Sequence, residues 1–399
     1  MTITTIKKDN RETQNLPIKT KNSLINVVLD PGTSCTKVIF NQGKRGKSKY
    51  LVDSSVVYSV DFAPEPYQTY VKLPDNEQYY LVGMTAASSK HSASIKQLKS
   101  ELLTIKVLGI VGQIAKSRSL SSTFDLNLNL LLPISEIGDL DFIQTQLSLA
   151  LEGFNYSGTE FQVNLKSLEI QPEGTGICSY FSSHIGFEEY DLQTIVYLMF
   201  GYRNTSLLLF ENGKINFEKS LSTDLGFYNY LDLVAKYGSG LYREDIQQAI
   251  FTEAKYGVNN KCRQVITGFN SQIRVEDLIR SSSPKSQARE RESIDKAITR
   301  ADAEYWQLLN NWLKGKLPPL SKLDSVVYCG GSTSFIETPL KEFFENWHGE
   351  LLNSHDMGIT MLEKLELSSI AEKKFIQQHL PIRLADAWGV YVDLVNVKI

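Results

Sequence analysis

The sequence has few of the residues that build disulfide and metal sites. Its 399 residues include four cysteines and five histidines. None of the cysteines lie at the spacing of a zinc motif, and no histidine pair of the HExxH type occurs. Because three of the cysteines flank predicted buried strands, we expect reduced thiols rather than disulfides.

The sequence also lacks a large charge of one sign and a long apolar run. A formal net charge of -3 gives no electrostatic footprint for duplex nucleic acid. No apolar run reaches the length of a membrane span. Residues 1–22 are polar and contain no apolar segment of a secretory signal, so we predict a disordered arm. These absences favour a cytoplasmic globular protein that contacts neither nucleic acid nor a membrane directly.

What the sequence does have is a strand–turn–strand pattern that occurs once in each half. Leu24–Leu29 and Thr36–Phe40 form the first unit, and Ile195–Phe200 with Ser206–Phe210 form the second. Helical patterns alternate with these strands, which favours a duplicated α/β architecture of two lobes facing each other across a cleft. We predict a first lobe at 23–190, completed by a C-terminal helix at 382–399, and a second lobe at 191–381.

Apolar spacing predicts the helices. They are expected at Ser88–Leu108, Asp139–Glu152, Arg243–Tyr256, Ile294–Leu313 and Leu384–Val395, with a further helix that begins at Thr338-Pro339 and runs to Trp347. Arg280–Ser286 is predicted to be a linker.

The first segment with chemical potential runs from Asp30 to Lys37, at the end of a predicted buried strand. Successive backbone N–H groups of Gly32, Thr33 and Ser34 can hold phosphate oxygens, and Lys37 can neutralise a phosphate. Asp30 can orient the water shell of Mg²⁺, which keeps several waters. No GxxxxGK[ST] or GxGxxG string occurs, so a P-loop and a Rossmann loop are excluded. An ordinary type I turn remains the alternative for this segment alone.

Two more segments place glycine and small polar residues after a buried strand. The second follows Phe200 and can present backbone N–H groups to a phosphate from the opposite side. The third follows Cys329, and its paired glycines allow close approach of a flat ligand. Taken singly, each is also compatible with a plain turn. The predicted binding residues are Gly201, Tyr202, Arg203 and Asn204 in the second segment, and Gly330, Gly331 and Ser332 in the third.

In this order the three segments resemble the phosphate-1, phosphate-2 and adenosine motifs of the actin superfamily. Within it, the chain looks like the ParM/StbA-type plasmid-segregation actins, over roughly residues 24–395. Asp30–Lys37 matches the D-x-G-x-x-x-x-K hairpin, and Gln171–Gly174 matches the family's P-E segment. Ala385–Gly389 resembles the A-x-A-x-G hinge helix between lobes.

The resemblance implies an actin-like, ribonuclease H-like duplicated fold with a nucleotide cleft between its lobes. It further implies ATP and Mg²⁺ as ligands, with Asp30 holding the metal through water and Glu173 orienting the attacking water. Self-assembly into filaments, plasmid segregation and a DNA-binding adaptor protein are the implied functions and partners.

The second segment departs from the family pattern D-[IL]-G-G-x-T-x-D. Met199 stands at the first aspartate, Tyr202 at the second glycine, Asn204 at the threonine and Ser206 at the last aspartate. The missing carboxylate predicts slow ATP hydrolysis, and it favours as an alternative a nucleotide-gated or nucleotide-free scaffold without ATPase activity. A small-molecule kinase of the same superfamily is disfavoured, because no substrate-binding insertion with a clear catalytic aspartate is present.

Overall fold

A computed structural model describes residues 23–43, 46–74, 76–89, 102–238, 240–243, 245–246, 278–377 and 380–395. Fifteen strands are assigned within these ranges. They are β1 Leu24–Asp30, β2 Cys35–Gln42, β3 Lys49–Ser54, β4 Val57–Val60, β5 Tyr70–Lys72, β6 Tyr79–Val82, β7 Thr123–Leu132, β8 Phe154–Tyr156, β9 Thr159–Pro172, β10 Thr194–Phe200, β11 Thr205–Glu211, β12 Lys214–Ile215, β13 Leu221–Thr223, β14 Ser325–Cys329 and β15 Glu350–Asn353.

Eleven α-helices are assigned in the same part of the chain. They are α1 Gly83–Ser88, α2 Leu103–Ser117, α3 Leu140–Leu151, α4 Thr175–Ile185, α5 Phe187–Tyr190, α6 Phe227–Tyr237, α7 Pro284–Lys316, α8 Thr333–Phe343, α9 His355–Leu365, α10 Ser369–Gln377 and α11 Leu380–Val395. Short 3₁₀ helices lie at Ile134–Asp139 and Leu320–Lys322.

The strands form two sheets with the same connection pattern. In the first sheet, β1 pairs antiparallel with β2 and parallel with β7, which in turn pairs parallel with β9. In the second, β10 pairs antiparallel with β11 and parallel with β14, which pairs parallel with β15. This repetition confirms the predicted duplicated α/β architecture. The sheet orders are β3-β2-β1-β7-β9-β8-β5-β6-β4 and β12-β11-β10-β14-β15, with β13 alongside β11.

Helices cover both faces of the central strands, because alternate side chains of a strand point to opposite faces. Val27 packs into one hydrophobic cluster with α2 and α3, whereas its neighbour Val28 packs into another with α10 and α11. The second sheet repeats this arrangement, with Leu198 facing α6 and α7 and Tyr197 facing α4. The central strands are therefore buried on both faces and end in loops between the two sheets.

Helices α4 and α11 cross at a very close approach. Gly176 of α4 lies against the backbone of Asp386, and Gly389 of α11 lies against the backbone of Gly176. A Cβ atom at either glycine would clash with the opposing main chain. Only glycine permits this crossing, which places Asp386 at the base of the space between the two sheets.

Two predicted element boundaries are wrong. The helix predicted at Pro339 begins at Thr333 and ends at Phe343, so Pro339 lies inside α8. Arg280–Ser286 is only partly a linker, because α7 starts at Pro284 under a Ser283 N-cap and runs for 33 residues. The helix predicted at Ser88–Leu108 lies mostly outside the described residues, and its last part is described within α2, which runs from Leu103 to Ser117.

Other predictions fall partly or wholly outside the described residues. The N-terminal arm at 1–22 and most of the helix predicted at Arg243–Tyr256 belong to this group. Among the helices of the described ranges, none combines the length and apolar character needed to cross a membrane.

Candidate binding cleft between the two sheets

One cavity of about 150 Å³ lies between the two sheets, where the strand ends of both halves meet. All thirteen residues that the sequence predicts for the site line it. They are Asp30, Gly32, Thr33, Ser34, Lys37, Glu173, Gly201, Tyr202, Arg203, Asn204, Gly330, Gly331 and Ser332. Segments up to about 300 residues apart in the chain therefore contribute to a single cleft.

The first loop carries a buried ion pair. Asp30 at the end of β1 forms a cross-strand pair with Lys37 near the start of β2, and the Lys37 ammonium contacts the Asp30 carboxylate. Burial of Lys37 acts to lower its pKa, but the charge of Asp30 and the hydrogen bond to it act in the opposite direction, and the pKa is raised. Lys37 is thus a fixed cation, held at the cavity wall.

Backbone hydrogen bonds immobilise the second loop on the second sheet. Gly201 N–H donates to Asn204 O at 2.9 Å, and Gly201 O accepts from Phe227 N at 3.1 Å. Tyr202 O accepts from the backbone N of Tyr228 at 2.8 Å. The carbonyl groups of the loop therefore satisfy the first N–H groups of α6.

The third loop is tied to the second. Gly330 has φ 97°, a left-handed conformation that glycine adopts without strain, and a Cβ there would strike the Phe200 carbonyl. Ser332 donates from its backbone N to Phe200 O at 3.0 Å and from its Oγ to Gly201 O at 2.9 Å. The two loops of the second sheet consequently form one rigid wall of the cavity.

Glu173 and Met199 face the cavity from opposite sheets. Glu173 is buried at the end of β9, and its backbone N donates to Leu132 O at 2.8 Å. Met199 pairs with Ser206 across the hairpin of β10 and β11. The Ser206 hydroxyl lies 2.8 Å from that of Ser222. A thioether and a hydroxyl pair thus occupy this side of the cavity, with no carboxylate at positions 199 or 206.

A salt bridge crosses the cleft. Arg203 in the second loop contacts Glu136 in the 3₁₀ helix that follows β7, with Nη1 and Oε1 3.3 Å apart. The Glu136 side chain is only 4% exposed, and that of Arg203 is 17% exposed. The pair therefore joins the two lobes beside the cavity, and sequence reasoning gave no sign of Glu136.

Asp386 of α11 caps the helix that follows Glu173. Its Oδ2 accepts from Gly174 N at 2.7 Å, and its Oδ1 accepts from Gly176 N at 2.9 Å and more weakly from Ile177 N. Burial raises the pKa of Asp386 to about 6, although these N–H donors oppose the shift. The carboxylate holds the start of α4 in place, and Glu173 lies two residues before that start.

Sequence reasoning also missed Arg383 and Asp53, which line the same cavity. Arg383 lies three residues before Asp386 on α11. Asp53 is the next-to-last residue of β3 and accepts hydrogen bonds from the backbone N of Ser54 and Met84. Asp386 was contained in the quoted hinge segment, as a variable position. No local motif signals Arg383 or Asp53, because their proximity to the site depends on long-range packing.

Metal-binding capacity in the cleft is limited. In the described part of the chain, no group of three or more His, Cys, Asp and Glu side chains is arranged to hold a metal ion. Mg²⁺ is commonly held by one or two carboxylates together with waters and substrate phosphates. Asp30 and Glu173 could hold Mg²⁺ in that way. The described residues offer no site in which protein ligands alone would surround the ion.

Comparison with solved structures defines the class of fold. The actin-like protein Alp7A matches with a TM-score of 0.58 at 14% identity, over 94% of this chain and 96% of that chain. ParM of Bacillus thuringiensis with AMPPNP matches with a TM-score of 0.52 at 13% identity, over 94% and 99%. AlfA of the B. subtilis plasmid pLS32, solved as a filament, matches with a TM-score of 0.50 at 14% identity, over 92% and 98%.

The chain therefore has the two-lobed actin-like fold, of the ParM type, and the fold expected from the sequence is confirmed. No family model matches the sequence, and no curated protein matches it significantly. Because identities of 12–17% to such structures establish the fold alone, the roles of the cleft residues remain predictions.

Proposed function

We propose that this chain binds ATP with Mg²⁺ in the cleft and polymerises into filaments that segregate plasmid or other DNA in the cytoplasm. The observation that carries the proposal is the convergence of three distant glycine-bearing loops and Glu173 on one cavity between two lobes. The fold neighbours support it, since ParM was solved with AMPPNP and AlfA as a filament.

Within this proposal, the two lobes hold the phosphates from opposite sides. Lys37 and the backbone of Gly32–Ser34 act from the first lobe, and the backbone of Gly201–Asn204 acts from the second. Gly330–Ser332 contact the nucleoside. Asp30 orients the waters of Mg²⁺, which when bound neutralises phosphate charge, and Glu173 positions the attacking water.

The cavity is smaller than the roughly 300–1,000 Å³ of typical ligand pockets. ATP entry therefore requires the lobes to move apart, and the salt bridge between Arg203 and Glu136 must open with them. If the filament contact forms only when the lobes are closed, nucleotide binding and assembly are coupled through this movement. A head-to-tail contact that does not close on itself produces an open filament, which would grip DNA through an adaptor protein.

A second candidate is an actin-fold scaffold that binds nucleotide without hydrolysing it. Met199 and Ser206 favour it, because they leave this side of the cavity without a carboxylate. Loss of one charge-assisted contact in the transition state, worth roughly 1.5–3 kcal/mol, slows hydrolysis about 10- to 150-fold.

Sedimentation tests assembly and its nucleotide requirement together. The protein is pelleted with ATP, GTP, ADP and a non-hydrolysable ATP analogue, and the pellets are imaged by negative stain. We expect filaments with ATP and with the analogue. Absence of filaments under every condition would refute the polymerisation part of the proposal.

Phosphate release separates the ATPase from the scaffold. Glu173→Ala should reduce ATP-dependent phosphate release at least tenfold, whereas Glu169→Ala, an exposed glutamate on the same strand β9, should leave it unchanged. Release at background level in all three proteins would leave only the scaffold.

A further inference from the structure

Arg383 is a cation in the cleft whose charge is balanced by no carboxylate among the described residues. It lies in the first turn of α11 and lines the cavity. Its Nη2 donates to the Sγ of Cys35, and its Nη1 is buried without a hydrogen-bond partner in the described part of the chain. A thiol is a weak acceptor, so this contact does not neutralise a guanidinium.

Three of the carboxylates that line the same cavity make contacts with groups other than Arg383. Asp30 contacts Lys37, and Asp386 accepts three backbone N–H groups at the start of α4. Asp53 accepts from the backbone N of Ser54 and Met84. None of these interactions compensates the charge of Arg383.

The contact with Cys35 fixes where that charge lies. Cys35 directly follows Gly32–Ser34, the loop whose backbone N–H groups are predicted to hold phosphate. Arg383 is also close enough to Lys37 for its charge to act against protonation of the lysine. Two cations from opposite ends of the chain therefore flank one loop.

A buried guanidinium nitrogen with an unused N–H group is costly unless an acceptor reaches it. An arginine binds phosphate through two parallel hydrogen bonds, and its charge is retained at any working pH. An oxyanion beside Gly32–Ser34 would supply the missing acceptors and the missing negative charge. A phosphate group meets both requirements.

We propose that Arg383 binds the phosphate chain of the nucleotide, together with Lys37, and that it lowers the dependence of binding on Mg²⁺. This role deepens the proposed function and rests on it for the identity of the nucleotide. Arg383 reaches the phosphate from α11, the helix that crosses α4. A bound phosphate would therefore contact a residue of the hinge helix directly.

Calorimetric titration of Arg383→Gln tests the proposal. Its ATP affinity should be about 10- to 100-fold weaker than that of the wild type, with a larger loss in EDTA than in Mg²⁺. Adenosine affinity should not change. Arg289→Gln removes an exposed arginine of α7 and serves as the matched control. Wild-type ATP affinity in Arg383→Gln, or an equal loss for adenosine, would overturn the proposal.

Inorganic tripolyphosphate separates this inference from the proposed function. Arg383-dependent tripolyphosphate binding without ATP binding would support the anion site and refute the nucleotide function. ATP binding of equal affinity in the wild type and in Arg383→Gln would support the nucleotide function and refute the role of Arg383. Binding of neither ATP nor tripolyphosphate would refute both the nucleotide function and the anion site.

Thermal unfolding reports whether Arg383→Gln is folded. If it is not, a crystal structure of the wild-type chain with tripolyphosphate decides the matter. We expect an Arg383 guanidinium nitrogen within about 3.2 Å of a phosphate oxygen, and a phosphate bound without that contact would refute the role.

Discussion

The salt bridge between Arg203 and Glu136 should hold the cleft closed, and Glu136→Gln should shift the lobes toward an open state. Glutamine keeps the size of the side chain and removes its charge. Because Arg203 lines the cavity and Glu136 belongs to the other lobe, opening the cleft must separate them. The variant thus weakens a contact that only the closed state has.

The expected magnitude follows from distance and burial. At 3.3 Å, the Coulomb attraction is about 5 kcal/mol with an effective dielectric constant of about 20. Both side chains regain water when the cleft opens, which offsets most of this attraction. For a pair of this burial we expect a net contribution of about 1–3 kcal/mol, or a roughly 5- to 150-fold change in the ratio of closed to open molecules.

Energy transfer between dyes, one on each lobe, measures that ratio in nucleotide-free protein. A double-mutant cycle of Glu136→Gln and Arg203→Gln isolates the pair, and Glu188→Gln, on the exposed surface of α5, is the control. A coupling free energy below about 0.3 kcal/mol, or an unchanged lobe distance in Glu136→Gln, would refute the proposal that this salt bridge holds the cleft closed.

Two further predictions concern stability. Gly330→Ala should lower the free energy of unfolding by about 1–3 kcal/mol because of its positive φ and the nearby Phe200 carbonyl, whereas Gly315→Ala, in a helix with open space around it, should raise it by about 0.5–1 kcal/mol. Urea unfolding checks both, and equal effects would contradict the argument. Asp386 has a pKa raised from 3.8 to about 6, so its protonated form is favoured in the folded protein. Its contribution to the free energy of unfolding is fully present below pH 4, and about 3 kcal/mol of it is lost as the pH rises to 6 and beyond. Asp386→Asn should lack this slope, and an identical pH dependence in both proteins would exclude the assigned shift.

Local sequence patterns predicted a duplicated α/β architecture, and the resemblance of three segments, in their order, to the actin superfamily predicted the actin-like fold and the shared cavity. A strand end followed by glycine has the same appearance wherever it occurs, and the order of three such ends is visible without coordinates. Asp30, Gly201 and Gly330 accordingly line the predicted cleft. Their binding roles stay predictions.

The residues that sequence reasoning missed have a common physical reason. Glu136, Arg383 and Asp386 act through partners 67, 348 and about 210 positions away in the chain. Their types and spacings are ordinary for a 3₁₀ helix and a buried helix, and only packing shows what they contact. The boundary errors are local, since Pro339 was read as a helix start although proline can also lie within a helix at a cost in stability.

The hydrogen bonds of the cavity indicate which parts can move. Gly201 is bonded to Phe227 and Ser332, so the second and third loops move with the second sheet as one body. Asp386 ties α11 to the start of α4, and the glycine crossing leaves no space for those helices to slide. We therefore expect the cleft to open by rotation about this crossing rather than by rearrangement of the loops. In this motion Arg203 breaks its contact with Glu136, and the backbone that faces the cavity keeps its shape in each lobe.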